Sequence, residues 1–259
     1  MVTYGRPRLI TEDDKYYRAY VESFKLQRKN QKAMRPPRQR DLFGAEAEAA
    51  LRAWLGERLE LDERRILAYE ERRNRRGVIK YRELDALHLD DRSAWVFEIK
   101  ASRTASALRR AVAQLQETRA ILKLLYPTVR VTILLVDTGI PASVEEVEAL
   151  MASDRPPPRR PELLSEVAAA VPELRLVESL EVEPDAERID VLRFSVEDII
   201  AIVGAENLSL DWEADDEEPE EPDEPCPASS LYATSDEGEE DQDDDDNPLA
   251  AALRKAGLR

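Results

Sequence analysis

The sequence predicts an α/β fold, with a central mixed sheet flanked by helices and a disordered acidic C-terminal tail. Helix-like and strand-like patterns alternate between Asp41 and Gly204, which favours a single α/β domain. Within it the run VRVTILLV, residues 129–136, is almost continuously apolar and β-branched, as expected for a buried strand. After about Leu208 the composition changes to Asp, Glu, Pro, Ser and Gly, which cannot bury enough apolar surface to fold.

The helices are predicted from apolar spacing and from end signals. After Asp41, residues such as Leu51 and Leu55 recur at helical spacing among alanines, which are strong helix formers. Ser143 and Ser195 each precede an apolar-periodic stretch and are predicted N-caps. The predicted helices are 12–30, 41–61, 105–125, 143–151, 162–170 and 196–204.

Residues 81–102 are predicted to form two strands joined by a short polar turn. Alternation on the second strand sends Glu98 and Lys100 to one face and a bulky apolar row to the other. On the first strand Glu83 and Asp85 share a face, and a tight turn would bring Asp85 near Glu98 and Lys100. Further strands are predicted at 129–136, 174–180 and 189–194, and residues 61–68 begin the sheet or lead into it.

Two carboxylates beside a lysine suit the hydrolysis of a phosphodiester. Carboxylate oxygens anchor a hard cation, which lowers the pKa of a bound water and neutralises growing negative charge. The lysine either stabilises that charge or helps to deprotonate the water, depending on its own pKa. The alternative is an exposed hairpin with a surface Glu–Lys pair, but the sequence WVFEIKA, residues 95–101, is too apolar for a free hairpin.

Over residues 43–136 the chain resembles the PD-(D/E)xK nuclease superfamily. The resemblance is carried by GAEAE in the first helix, then ELDAL, then VFEIK, then a helix carrying Gln114 and Gln116, then the apolar strand. Leu84 stands where the family name has proline. The resemblance implies a restriction-endonuclease-like core and a metal-dependent nuclease, with DNA as the favoured substrate in repair, restriction or defence.

The resemblance also implies a role for each candidate site residue. Asp85, Glu98 and Glu48 would bind Mg²⁺ or Mn²⁺. Lys100 would be held against the attacking water or the scissile phosphate. Gln114 on the following helix is the first choice to complete the site, and the second glutamine of that helix is the next.

Basic residues near the two strands are the predicted nucleic-acid contacts. They are Arg72, Arg73, Arg75, Arg76, Arg103 and Arg109. Residues 1–40 carry 11 Lys and Arg against four acidic residues. This basic N-terminal arm is either a solvated extension or a segment that follows phosphates.

Composition excludes several classes of site. The net charge of −17 describes the tail, because the first 210 residues carry 36 acidic and 35 basic side chains. A single cysteine and a single histidine exclude a disulfide framework, a thiolate metal cluster and a histidine-rich zinc site. His88 is predicted to face away from Asp85. No phosphate-binding GxxxxGK[ST] occurs, and no apolar run approaches membrane-spanning length, so we expect a cytoplasmic protein with no membrane partner.

The chain is therefore divided into four segments: a basic N-terminal arm at 1–40, a nuclease-like domain at 41–207, a disordered acidic linker at 208–247 and an amphipathic peptide at 248–259. The linker either aids solubility or mimics nucleic acid and gates the basic surface. The terminal peptide, PLAAALRKAGLR, is typical of a segment that docks onto a protein partner.

Two other functions stay open at this point. One is a catalytically silent nuclease-fold scaffold that binds a partner through its C-terminal peptide, and the other is a purely structural α/β module. The sequence also leaves open whether the substrate is DNA or RNA, whether ends or interior sites are cut, and whether the protein is a homodimer.

Overall fold

The computed structural model describes residues 2–29, 39–73, 76–102, 105–137, 140–153, 156–157 and 159–210. The predicted linker beyond residue 210 and the peptide 248–259 lie outside this part of the chain, as do Arg75 and Arg103. The described strands are β1 (Thr3–Ile10), β2 (Ile66–Arg73), β3 (Arg76–Glu83), β4 (Ala86–Leu89), β5 (Ser93–Ser102), β6 (Thr128–Asp137), β7 (Leu174–Val177) and β8 (Ile189–Phe194). The described helices are α1 (Lys15–Lys29), α2 (Gln39–Gly56), α3 (Ala105–Leu122), α4 (Val144–Met151), α5 (Leu164–Ala170) and α6 (Val196–Val203).

The larger sheet has five strands in the order β4-β5-β6-β8-β7. Only the β4–β5 pair is antiparallel, so the predicted mixed sheet flanked by helices is confirmed. Alternate residues of its strands enter two apolar clusters. One cluster contains Val96 and the apolar side of α3, and the other contains Phe97 and the apolar side of α2. We call these two sides of the sheet the α3 face and the α2 face.

The smaller sheet is an antiparallel meander of β1, β2 and β3. Its first strand falls inside the segment predicted as a basic arm. The sequence does not indicate this strand, because it contains Gly5 and Pro7 and its side chains are exposed or half-buried. Its pairing partner β2 also lies far along the chain. Helix α1 covers part of one side of this sheet, where Tyr17 packs with Ile66 and Tyr81.

The two sheets meet at the end of β3, where the structure differs from the single strand predicted for residues 81–89. Strand β3 ends at Glu83 in the smaller sheet, and β4 begins at Ala86 in the larger one. Glu83 forms an ion pair with Arg65 at 2.8 Å, and so does not share a strand face with Asp85. Packing of the intervening Leu84 in the cluster under α3 redirects the chain, which a local alternation pattern could not indicate.

Buried charges join the strands at the opposite end of the larger sheet. The Asp190 carboxylate accepts hydrogen bonds from Arg130 Nη2 at 3.0 Å and from Arg175 Nε at 2.7 Å. Asp190 is buried, and the guanidinium of Arg130 lies 3.8 Å from the centre of the Trp95 ring. This cluster connects β5, β6, β8 and β7.

The helix ends follow their predicted caps. Ser143 accepts a hydrogen bond from the Glu146 backbone N–H, and Ser195 accepts one from that of Asp198. The described helices include none with the length and apolarity to cross a membrane.

Candidate active site

Asp85 lies at the junction between the two sheets, with its carboxylate directed at β5. Its Oδ2 accepts a hydrogen bond from the Ile99 backbone N–H at 2.6 Å. Ala86, the next residue, begins β4 and pairs with Phe97, so Asp85 lies just before the first paired residue of the hairpin, beside Ile99. Glu98 follows Phe97 in β5 and lies on the α3 face with Val96, because side chains alternate along a strand.

Glu98 and Lys100 form an ion pair on that face. Lys100 Nζ lies 2.7 Å from Glu98 Oε1, and the two side chains are 26% and 4% exposed respectively. The backing row Phe97 and Ile99 packs in the cluster on the α2 face, as the alternation predicted. The structure therefore brings Asp85, Glu98 and Lys100 together across the β4–β5 pair.

Burial and neighbouring charges alter the protonation of these groups. Burial raises the pKa of Asp85 well above its ordinary value, and the Glu98 charge raises it further. Burial opposes the charged form of Lys100, but the carboxylates of Glu98 and Asp85 outweigh burial and raise the lysine pKa. Lys100 is therefore a protonated cation in the ion-free site, which favours charge stabilisation over the general-base role that the sequence left open.

Helix α2 supplies the third carboxylate. Glu48 is linked to Asp85 through Arg52, and its charge is a minor contributor to the raised pKa of Asp85 and of Lys100. Its Oε1 is held 2.5 Å from Nη2 of Arg52, one helical turn further on. Glu48 thus belongs to the same cluster although its helix packs on the α2 face.

Arg52 is the site residue that the sequence analysis missed. Its Nε donates a hydrogen bond to the backbone oxygen of Asp85 at 2.7 Å, while Nη2 contacts Glu48. The available signal was the spacing of four residues between Glu48 and Arg52, which is typical of a helix ion pair. Such pairs are common on solvated helices, so the spacing alone does not indicate a third partner.

Gln114 lies on α3, beside the small sheet. Its backbone oxygen accepts hydrogen bonds from Arg82 Nη1 and from Thr118 Oγ1, both at 2.9 Å, and its side chain is half-buried. Within the described residues, no hydrogen bond joins the Gln114 side chain to Asp85 or to Lys100. Gln116, the second choice, is exposed.

The predicted nucleic-acid contacts are divided between two places. Arg72 is near the tip of the β2–β3 hairpin and pairs with Glu70 at 2.9 Å, and the backbones of Arg73 and Arg76 form the last pair of that hairpin. Arg109 lies on α3 and pairs with Glu162 at 2.8 Å. The predicted hairpin therefore exists, while each described side chain in the set already has an acidic partner.

The single histidine contributes to the rim of the sheet. His88 Nδ1 lies 2.7 Å from the Glu60 backbone oxygen, and the residue pairs with Trp95 across β4 and β5. Because its partner Trp95 packs on the α2 face, His88 lies on the side of the sheet opposite Glu98 and Lys100 and is outside the cluster.

The chemistry of the donor set fits a hard divalent cation. Three carboxylates lie near two cations, Lys100 and Arg52. Burial first, and then the charge of Glu98, raises the pKa of Asp85, and a bound cation would offset both effects. As they stand, however, no three Asp, Glu, His or Cys side chains of the described ranges are close enough together to hold a metal ion. Binding would require Glu98 to turn from Lys100, and Glu48 from Arg52, toward the ion.

Any function assigned to this site rests on the contacts of its own residues. The likeness of its motifs to the PD-(D/E)xK superfamily stays a hypothesis. No protein-family model, curated protein or solved structure matches this chain.

Proposed function

We propose that this chain is a metal-dependent nuclease that hydrolyses phosphodiester bonds of nucleic acid, with DNA as the favoured substrate. The observation that carries the proposal is the 2.7 Å ion pair between Glu98 and Lys100, beside Asp85, whose carboxylate accepts a hydrogen bond from the backbone N–H of the intervening Ile99. A largely buried lysine among carboxylates is costly for a fold that has no use for it, because each group must leave water. Repair, restriction or defence would each use such an activity.

We also infer that the larger sheet is a restriction-endonuclease-like core. The chain passes in order through α2 with Glu48, the β4–β5 hairpin with the other acidic residues, α3 with Gln114, and the buried strand β6. The motifs that carry the resemblance follow one another in this order along the sequence. The small sheet and α1 are additions to that core.

Each side chain has a defined task in this proposal. Asp85, Glu98 and Glu48 would hold Mg²⁺ or Mn²⁺, which supplies Lewis acidity and a bound water of lowered pKa. Lys100, protonated and partly exposed, would lie against the scissile phosphate and stabilise the negative charge that develops there. The hydrogen bond from the Ile99 backbone fixes the direction of the Asp85 carboxylate.

Cleavage by purified protein tests the proposal. We expect supercoiled plasmid, linear duplex, single-stranded DNA or RNA to be cut in Mg²⁺ or Mn²⁺ and left intact in EDTA. Lys100→Ala should reduce the rate by about 10²–10³-fold, as for loss of one transition-state charge contact. The matched control is Lys123→Ala, which removes a lysine from an exposed ion pair with Glu187 and should leave the rate unchanged. If no substrate is cut by the parent protein in either metal, the proposal is wrong.

A catalytically silent nuclease-fold scaffold is the second candidate. It is favoured by one observation: in the described chain the Glu98 and Glu48 carboxylates are already paired with cations and no ready three-ligand group exists. Such a protein would cut no substrate, whether or not it binds Mg²⁺. Mg²⁺-dependent cleavage that Asp85→Ala and Lys100→Ala abolish or strongly reduce, with little loss of fold, would exclude this candidate.

A further inference from the structure

A cavity of about 360 Å³ opens on the three-stranded sheet, away from the cluster around Asp85. It is lined by Arg6 and Arg8 of β1, Ala68 and Tyr69 of β2, and Ile79 of β3. Arg8 pairs with Ala68, which lies on the side of the sheet that α1 covers further along. Ile79 is 46% exposed, so the cavity is an open part of that sheet side.

Positive charge in the cavity is only weakly compensated. The Arg6 side chain is 79% exposed, and its Nε lies 3.7 Å from Glu70 Oε2. That same carboxylate already accepts a 2.9 Å hydrogen bond from Arg72. In the ranges that the structure describes, no carboxylate pairs with Arg8. Arg6 and Arg8 therefore present two guanidinium groups to solvent in the cavity. The carboxylate near Arg6, that of Glu70, is shared with Arg72.

The backbone places an arginine where a glycine would be less strained. Arg6 has φ of 50°, the left-handed region, and is the one non-glycine residue of the described chain with positive φ. It lies in a β-bulge, because the register with β2 shifts between Gly5 and Arg8. Bulges redirect side chains, and a strained residue that keeps a long cationic side chain indicates a use for that side chain.

We propose that this cavity binds a backbone phosphate of a nucleic-acid strand. It would anchor the substrate at a second point, outside the catalytic cluster. The identity of the polyanion rests on the proposed nuclease function. Guanidinium groups present paired N–H donors that match phosphate oxygens, and Ile79 offers an apolar contact beside them. Ile79 and Asp85 are six residues apart, so they are separated by at most roughly 20 Å, a span of no more than about six base pairs of duplex.

Binding of DNA without metal tests this site independently of cleavage. A fluorescein-labelled duplex of about 20 base pairs, long enough to span both places, is titrated in EDTA at salt from about 50 to 200 mM. Arg6→Ala/Arg8→Ala should weaken binding by about tenfold at low salt and reduce the slope of log K against log salt by about 1. The control Arg160→Ala/Arg188→Ala removes two exposed arginines from other ion pairs and should change affinity by less than about twofold.

Arg6→Gly separates binding from stability. Glycine adopts positive φ without strain, so this variant should keep or raise Tm while it weakens DNA binding. An unchanged salt slope in both cavity variants would overturn the proposal, even if the protein cleaves DNA. A reduced slope in a protein that cuts nothing would support the cavity and refute the nuclease. If inorganic phosphate stabilises only the parent protein while the DNA slope is unchanged, the ligand is a free anion and the proposal is wrong.

Discussion

Arg52 Nε donates a hydrogen bond of 2.7 Å to the backbone oxygen of Asp85, and this bond ties α2 to the junction of the two sheets. The same guanidinium lies 2.5 Å from Glu48 Oε1. One side chain therefore fixes the position of two proposed metal ligands that come from separate elements. Arg52 is a positioning residue, since its hydrogen bonds go to Asp85 and Glu48, the proposed metal ligands.

Replacing Arg52 should weaken Mg²⁺ binding more than it slows cleavage at saturating Mg²⁺. In Arg52→Ala the Mg²⁺ concentration for half-maximal cleavage should rise by about 10–100-fold, the range seen for residues that support metal ligands. The rate at saturating Mg²⁺ should fall less, and Arg52→Lys should recover only part of the metal affinity because an ammonium cannot span both partners. The measurement is cleavage rate as a function of Mg²⁺ concentration.

The control for this experiment is Arg58→Ala. Arg58 follows the same helix, lies 4.2 Å from the Trp54 ring and pairs with Glu57 at the surface. Equal metal dependence in the Arg52→Ala and Arg58→Ala proteins would show that Arg52 has no positioning role.

Asp85→Asn should stabilise the ion-free protein while it abolishes cleavage. The folded-state pKa of Asp85 is raised above its ordinary value of 3.8, chiefly by burial. Between the two pKa values the folded state binds the extra proton, so this group's contribution to stability falls as pH rises through that window. Asparagine removes the cost of ionisation and can still accept from the Ile99 N–H.

Thermal unfolding across pH checks this prediction. Without metal, Tm of Asp85→Asn should exceed that of the parent protein at neutral pH, by about 2–4 °C for each kcal/mol gained. The difference should shrink as pH falls toward 3.8, where both states of the parent protein become protonated. A variant that is less stable at neutral pH would contradict the buried, charge-crowded setting of Asp85.

The buried charges at the other end of the sheet should matter for stability alone. Asp190→Ala leaves Arg130 largely buried and without its carboxylate, which costs about 3–5 kcal/mol when one partner of a buried pair is removed. A fall in Tm of about 10 °C is expected from that cost. Glu166→Ala is the matched control, because its pair with Arg160 is exposed and should contribute no more than about 1 kcal/mol. Chemical denaturation of both variants provides the comparison.

The sequence predicted those features that depend on local pattern. Strand alternation placed Glu98 and Lys100 on one side of β5, since a strand has a period of two wherever it pairs. The caps Ser143 and Ser195 were equally predictable, because each bonds to a backbone N–H only three residues away. These signals need no knowledge of the rest of the chain.

Features that depend on distant packing were not predictable from the sequence. Strand β1 forms only by pairing with β2, some sixty residues away, and its Gly5 and Pro7 are typical of loops. The change of sheet at Asp85 likewise depends on what Leu84 packs against. Alternation across that junction predicted a shared face for Glu83 and Asp85. In the structure Glu83 ends β3 of the smaller sheet, and Asp85 immediately precedes β4 of the larger one.

Lys100→Ala should bind Mg²⁺ more tightly than the parent protein even though it cleaves about 10²–10³-fold more slowly. Lys100 Nζ holds Glu98 Oε1 at 2.7 Å and adds a positive charge beside the proposed ligands. Removing it frees the carboxylate and removes a competing cation, so metal binding improves while stabilisation of the transition state is lost. The free energy by which Mg²⁺ stabilises the folded protein is RT ln(1 + [Mg²⁺]/Kd), and the rise in Tm reports it. The variant should therefore reach about 2.7 kcal/mol of stabilisation at a lower Mg²⁺ concentration than the parent. Lys123→Ala, whose lysine pairs with Glu187 on the surface, should respond to Mg²⁺ as the parent does. Weaker Mg²⁺ binding by Lys100→Ala would mean that the lysine supports the ligands instead of competing with the metal for Glu98.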